Sequence, residues 1–457
     1  MSPQVTEDPS AAPRARSNIY VFFLASVVAI SGFLFGFNTA VINGVLLFLQ
    51  GQFALTNLQT EAATSALLLG CLLGAAGASL VGDRFGRRKS LVWTAVIFLI
   101  STLFTAVANS VLAFSLGRLT GGLAIGISSV LTPVYISEIA PADRRGALVA
   151  MHQLAIVIGI LISYVVNWSL AGLGAGSWRW MIGIAAIPSV LFFIGLLGVP
   201  ESPRWLIARG QLDRGYAVLE RIFGSKEAEI ESARVKSASG SEQGSWREVF
   251  SKALRKPLII ALGIAILSQI TGINAVLYYG SILIGDHFPG QTKSTALIAS
   301  VIIGVANLLG TVLAMRYLDR WGRRPMLLTA CGGMALSLAV LVWGVGSGDL
   351  PSVVLLASVI AYVGSFAFGM GSVLWVLISE IFPNKIRGRA ASLATSMLWI
   401  CTLLVASTFL SVLRVLGVAG TFAVFSVLSA AGFVFVLRYV PETRGKTLEQ
   451  IQSEWRP

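Results

Sequence analysis

Ser137-Glu138-Ile139-Ala140-Pro141, with Arg145-Gly146 close behind it, returns later in the chain as Ser379-Glu380-Ile381-Phe382-Pro383 with Arg387-Gly388. Reading outward from these two stretches, further motifs repeat in the same order. Asp83-Arg84-Phe85-Gly86-Arg87-Arg88 precedes the first, and Asp319-Arg320-Trp321-Gly322-Arg323-Arg324 precedes the second. Pro200-Glu201-Ser202-Pro203-Arg204 follows the first, and Pro441-Glu442-Thr443-Arg444-Gly445 follows the second more loosely. Charged motifs that return at matching points mean two copies of one bundle, with a natural substrate site between them.

The 457 residues are 55% hydrophobic and 12% charged, with mean hydropathy +0.80. That is too apolar for a soluble domain and fits a polytopic membrane protein. Apolar runs of about 20 residues predict twelve helices, at 19–49, 62–82, 90–109, 111–139, 147–171, 179–198, 257–286, 294–317, 325–346, 352–381, 389–416 and 418–440. The fold class expected is therefore all-α, with twelve transmembrane helices in two pseudo-symmetric six-helix bundles, 19–198 and 257–440. A polar N-terminus over 1–18 is expected to be disordered, and it lacks the apolar core and cleavage site of a signal peptide. A charged linker over 199–256 joins the bundles, and 441–457 forms a short tail. The linker admits two readings, a tether or a set of short amphipathic helices over the cavity mouth.

The net charge of +13 is concentrated in alternate loops, whereas the intervening ones hold chiefly Arg179, Lys293 and Arg414. This alternation predicts cytoplasmic termini and linker in a multi-pass cell-membrane protein, and leaves no reason to invoke nucleic acid. Cys71, Cys331 and Cys401 all fall in predicted helices, so neither a disulfide framework nor a metal site is expected. No phosphate loop or nucleophile–base pair is visible. The expected partners are a small molecule and the bilayer, with no enzyme activity, no cofactor and a monomeric state. Asn167-Trp168-Ser169 matches a glycosylation acceptor formally, but it abuts a helix and is read as chance.

Positive-inside placement accounts for the arginines of the repeated motifs but not for the acids beside them. A gating network accounts for both. In the first half it would join Asp83, Arg84, Arg87 and Arg88 to Glu138, Arg144, Arg145, Glu201 and Arg204. In the second it would join Asp319, Arg320, Arg323 and Arg324 to Glu380, Arg387 and Glu442. Such pairs would hold the cytoplasmic helix ends together when the cavity faces outward. Arg118, near the start of the fourth helix, stays protonated and must find a carboxylate, carbonyls or water. No acid lies in the first or sixth helix to meet it.

These repeats, with Gln269-Ile270-Thr271-Gly272-Ile273-Asn274-Ala275-Val276-Leu277-Tyr278-Tyr279, resemble the sugar porter family of the major facilitator superfamily over roughly Tyr20 to Gln450. The resemblance implies alternating access around a central sugar site. It implies Gln153, Gln269, Asn274 and Asn307 as ligands, Trp375 stacking on the ring, and Trp399, Phe35, Ser268 and Thr402 as further lining. Tyr278 and Tyr279 would form the external gate. The chemistry is consistent, because a pyranose needs amides that both donate and accept, plus an aromatic surface.

The departures from the family pattern are informative. Ser268, Ala367, Leu398 and Thr402 stand where relatives often carry polar ligands, so either hexose binding is weakened or the second half of the pocket is reshaped. Asn38 stands where proton-coupled members typically carry aspartate facing the arginine that matches Arg118. Ala185 stands where xylose–proton symporters carry glutamate. Asparagine does not change charge, so facilitated diffusion of a hexose or pentose is expected. A proton symporter with another titratable group, a polyol porter, and a sugar sensor are the alternatives. The chain's two histidines, His152 and His287, could titrate; His287 belongs to an external loop, and His152 is expected to pack or hydrogen-bond beside Gln153.

Overall fold

The computed structural model describes residues 11–141, 144–239, 246–287, 292–348, 350–382 and 386–444. Six helices of spanning length form the first half: Ile19–Phe53, Asn57–Phe85, Arg87–Ala106, Val111–Ile139, Gly146–Leu173 and Ser177–Leu197. Four more follow the linker: Arg255–Gly285, Ser294–Leu318, Arg323–Ser347 and Ser352–Ile378. The last helical stretch, Arg389–Tyr439, has 51 residues. At 1.5 Å per residue it is about twice as long as a hydrocarbon core of roughly 30 Å. Gly417, with φ 68°, breaks it into an eleventh and a twelfth span. The all-α, twelve-span expectation is borne out.

Side chains such as Leu80, Leu112, Val353 and Val415 are exposed on the outside of the bundle. Exposure of that kind is stable only against lipid. Inside, small residues let backbones approach. A Cβ on Gly36 would lie 1.8 Å from the Ile156 carbonyl oxygen, and one on Gly159 would lie 2.2 Å from that of Phe33. The first and fifth spans therefore meet through a reciprocal glycine pair, as membrane helices do when packing rather than water drives association.

Three spans are interrupted beside the central cavity. The first breaks at Val41, between Ala11–Ala40 and Ile42–Phe53. The seventh breaks at Thr271-Gly272, between Arg255–Ile270 and Ile273–His287, with Gly272 at φ 92°. The tenth carries a π turn over Ala367–Gly371. Irregular backbone at membrane depth is tolerated where it lines a cavity, and π turns concentrate at functional sites.

Two differences from expectation lie at helix starts. The first helix begins at Ala11, inside the stretch expected to be disordered. Ala-rich sequence with arginines favours helix, and extending an existing helix avoids a new nucleus. The second helix begins at Asn57 because Thr56 caps it and Gln59 returns the hydrogen bond. That earlier start draws Glu61 into the bundle. The linker forms helices Pro203–Ala208, Leu212–Phe223 and Ser225–Ser239. They share a small core of Ile207, Leu219 and Ala228 and dock on the first bundle through Trp205 and Arg209, which donate to the Asp83 carbonyl.

Candidate substrate cavity and its two ends

The cavity between the bundles is lined by Phe35, Thr39, Gln153, Ser268, Gln269, Asn274, Tyr278, Asn307, Trp375, Trp399 and Thr402, among others. The structure thus brings together all nine residues anticipated as substrate-binding, contributed by the first, fifth, seventh, eighth, tenth and eleventh spans. Gln269 is the hub of its second-half wall. Its Oε1 accepts from Asn274 Nδ2 at 2.5 Å and from Thr402 Oγ1 at 2.9 Å, and its Nε2 donates to Ser268 Oγ at 3.0 Å. With the acceptor side occupied, one amide hydrogen remains for a ligand.

Ser268 and Thr402 looked like lost ligands in the sequence; in the structure they hold Gln269 in place. The pocket is reshaped rather than simply depleted. Gln153 on the fifth span and Asn307 on the eighth keep their amides free of protein partners among the described residues. Phe35 and Trp399 tilt against each other with centroids 5.4 Å apart, and the buried Trp399 Nε1 has no acceptor. Amides with spare donors and acceptors beside aromatic faces form a surface suited to a polyhydroxylated ring.

Arg118 is buried in the fourth span. Its Nη1 donates to the main-chain oxygen of Asn38 at 2.6 Å, and its Nε has no partner. The Asn38 side chain turns away and donates to the Leu34 carbonyl at 3.0 Å. The arginine thus finds a carbonyl where a carboxylate is absent. His152 is buried against Gly32, with Nδ1 unpartnered, so it packs without a hydrogen bond to Gln153. The side chain of His287 lies outside the described residues.

At the basic end the repeats form matching structures. Glu201 Oε1 accepts from the Arg88 N–H at 3.0 Å, and Glu442 accepts from the N–H groups of Arg323 and Arg324 at 3.0 and 3.1 Å. Gly86 and Gly322 have φ 94° and 93°, and a Cβ on either would strike the docked carboxylate. Glycine is needed there for conformation and for space. Arg87 joins Asp83 at 3.0 Å and Glu138 at 3.2 Å, while Arg204 pairs with Glu231 in the linker at 3.0 Å. Arg84 is exposed over the Phe85 ring, Arg320 is exposed, and Arg144 precedes the fifth helix. The side chains of Arg145, Asp319, Glu380 and Arg387 lie outside the described residues.

Hydrogen bonds between the bundles gather at the opposite end. Asn43 donates to the Leu277 carbonyl, accepts from Ser281 through its main-chain oxygen, and accepts from Ser300 through Oδ1. Tyr164 also donates to Leu277 O at 2.8 Å. Glu61 accepts from Ser411 N at 2.7 Å and from Ser411 Oγ at 2.8 Å. Of the two tyrosines assigned to a gate, Tyr278 lines the cavity. Tyr279 donates to Ala406 O and stacks on Phe409 of the second bundle, and it also faces Thr64 of the second span in the first bundle. Sequence reading missed Asn43 and Glu61; the capping box at Thr56 was the signal for Glu61.

The family described as "Sugar (and other) transporter" matches residues 24–455. The chain is 37% identical over 448 residues to a D-xylose transporter of Levilactobacillus brevis, covering 97% of each. It is 35% identical over 473 residues to the glucose transport protein of Synechocystis, covering 97% of this chain and all of that one. Among solved structures it is similar to the proton:xylose symporter XylE bound to 6-bromo-6-deoxy-D-glucose, at TM-score 0.83 and 32% identity, over 96% of this chain and 100% of that one. XylE is from E. coli.

Proposed function

This chain belongs to the sugar porter family of the major facilitator superfamily, and we propose that it carries a monosaccharide, a hexose or a pentose, down its gradient by alternating access. The observation that carries the reading is the cavity between the bundles, where Gln153, Gln269, Asn274 and Asn307 face Trp375 and Trp399. The amides serve ring hydroxyls and Trp375 packs against the apolar face of the ring. The similarity to proteins named as xylose and glucose transporters supports that substrate class.

Uniport rests on the coupling position. Asn38 stays neutral through any cycle, and Arg118 is held by a main-chain oxygen that does not titrate. Ala185 removes the second carboxylate. In the membrane, the basic end faces the cytoplasm by the positive-inside rule, so the interbundle clasp closes the outer side. The charged motifs there govern opening toward the cytoplasm, and each chain works as a monomer. Proton symport is the competing reading, favoured by the name of the XylE relative. Binding of xylose and glucose to the purified protein, followed by tryptophan fluorescence, tests the site. Saturable quenching in the wild type that is lost in Gln153→Ala, Asn307→Ala and Trp375→Ala supports it; saturation unchanged by all three variants refutes it.

A further inference from the structure

We infer that Glu61 is a proton-binding latch that locks the two bundles together at the non-basic end. The inference rests on the two-bundle alternating-access reading but not on which sugar is carried, nor on whether transport is coupled. Glu61 lies in the second span and is 1% exposed. Its two oxygens grip one residue of the other bundle, taking the main-chain N–H and the hydroxyl of Ser411. The N–H of a residue inside a helix ordinarily serves the carbonyl four residues back. Here the carboxylate enters the hydrogen-bond ladder of the eleventh span, six residues before its break at Gly417.

Among the described residues no cation forms an ion pair with this carboxylate. The first span, Ile19–Phe53, carries no charged side chain at all, and the charges of the third span are at its basic end. On the fourth span Arg118 is committed to Asn38 and lies near Cys71 and Tyr278. On the eleventh, Arg414 is exposed three residues beyond Ser411. From the seventh, Tyr279 faces Glu61 and Thr64 of the second span. Among the described residues, the two Ser411 donors are what hold this carboxylate.

Ionised Glu61 is acceptor-only and suits both donors; a protonated carboxyl must place its own hydrogen and loses one of them. Separating the bundles also brings Glu61 to water on the side from which a proton arrives. Protonation thus favours the state open at the non-basic end, and deprotonation favours the closed state seen here. Because the proton enters and leaves from that same side, the latch sets the opening equilibrium and does not drive accumulation.

The test uses spin labels on Leu58→Cys and Val415→Cys, exposed positions near the facing ends of the second and eleventh spans, with the native cysteines left buried. Distances are read by pulsed electron resonance in nanodiscs without sugar, in acidic and in alkaline buffer. Loss of a charge-assisted hydrogen bond shifts the open-to-closed ratio about tenfold or more. The longer-distance population is expected to grow by that factor on acidification. Glu61→Gln is expected to hold it high at both pH values, and Glu61→Ala guards against a residual amide bond. A distance distribution that ignores pH, or variants that respond as the wild type does, overturns the inference. Sugar accumulation driven by a proton gradient in the wild type and lost in Glu61→Gln would overturn both the one-sided latch and uniport.

Discussion

Replacing Gln269 with alanine removes the residue on which three cavity side chains converge. Asn274 loses the acceptor at 2.5 Å that orients its amide, Thr402 loses one at 2.9 Å, and Ser268 loses its donor. A bound sugar would forfeit the free amide hydrogen of Gln269 and the held orientation of Asn274. Two such hydrogen bonds are worth about 1–3 kcal/mol, or roughly 5- to 150-fold in affinity. Titration of the purified protein by tryptophan fluorescence would read the change, with thermal melting as the folding control. Thr402→Val alone should cost less, about one hydrogen bond. Because Thr402 acts through Gln269 Oε1, the double variant should bind no worse than Gln269→Ala. Wild-type affinity in Gln269→Ala, or full additivity in the double variant, would refute the hub.

Three further outcomes are expected. In Asn38→Asp the side chain can no longer donate to Leu34 O, so the carboxylate turns to the unpartnered side of Arg118; uptake in proteoliposomes should become sensitive to a proton gradient, and indifference would show that position 38 alone does not confer coupling. Gly36→Ala places a methyl group 1.8 Å from the Ile156 carbonyl, and forcing the first and fifth spans apart should cost about 1–3 kcal/mol, seen as a lower melting temperature in detergent. Glu201→Gln and Glu442→Gln each weaken a charge-assisted bond to helix N–H groups, worth about 0.3–1 kcal/mol through the helix dipole; labelling of a cysteine in the cavity from the basic side should rise in both, and an unchanged rate would remove these glutamates from gating.

The sequence disclosed the fold because a bilayer leaves few solutions. Each span must satisfy its own backbone, so apolar length alone marks it, and Gly417 was visible as the point between the last two helices. The chemistry of the cavity was legible by resemblance, and its amides do share one wall-lined space. Hydrogen-bond geometry was not legible. Ser268 and Thr402 read as losses because a sequence cannot show that both face Gln269. Tyr278 and Tyr279 are paired by resemblance, but adjacent residues on a helix point in different directions, and only the structure shows Tyr278 on the cavity and Tyr279 against Ala406 and Phe409. The second span predicted from apolar length starts at 62, one residue past Glu61, whereas the capping box at Thr56 starts the helix at Asn57 and brings Glu61 into it. Contacts such as Glu61 to Ser411 join residues so distant in the chain that only the assembled bundles reveal them.

The central claim is that sugar moves without a driving proton. Radiolabelled xylose and glucose uptake into proteoliposomes, followed to completion with and without an imposed proton gradient, tests it most directly. Equal final concentrations on both sides, whatever the gradient, are predicted by a neutral Asn38 and an Arg118 held by a main-chain carbonyl. Accumulation above equilibrium only when the gradient is applied would contradict the account and make this chain a symporter.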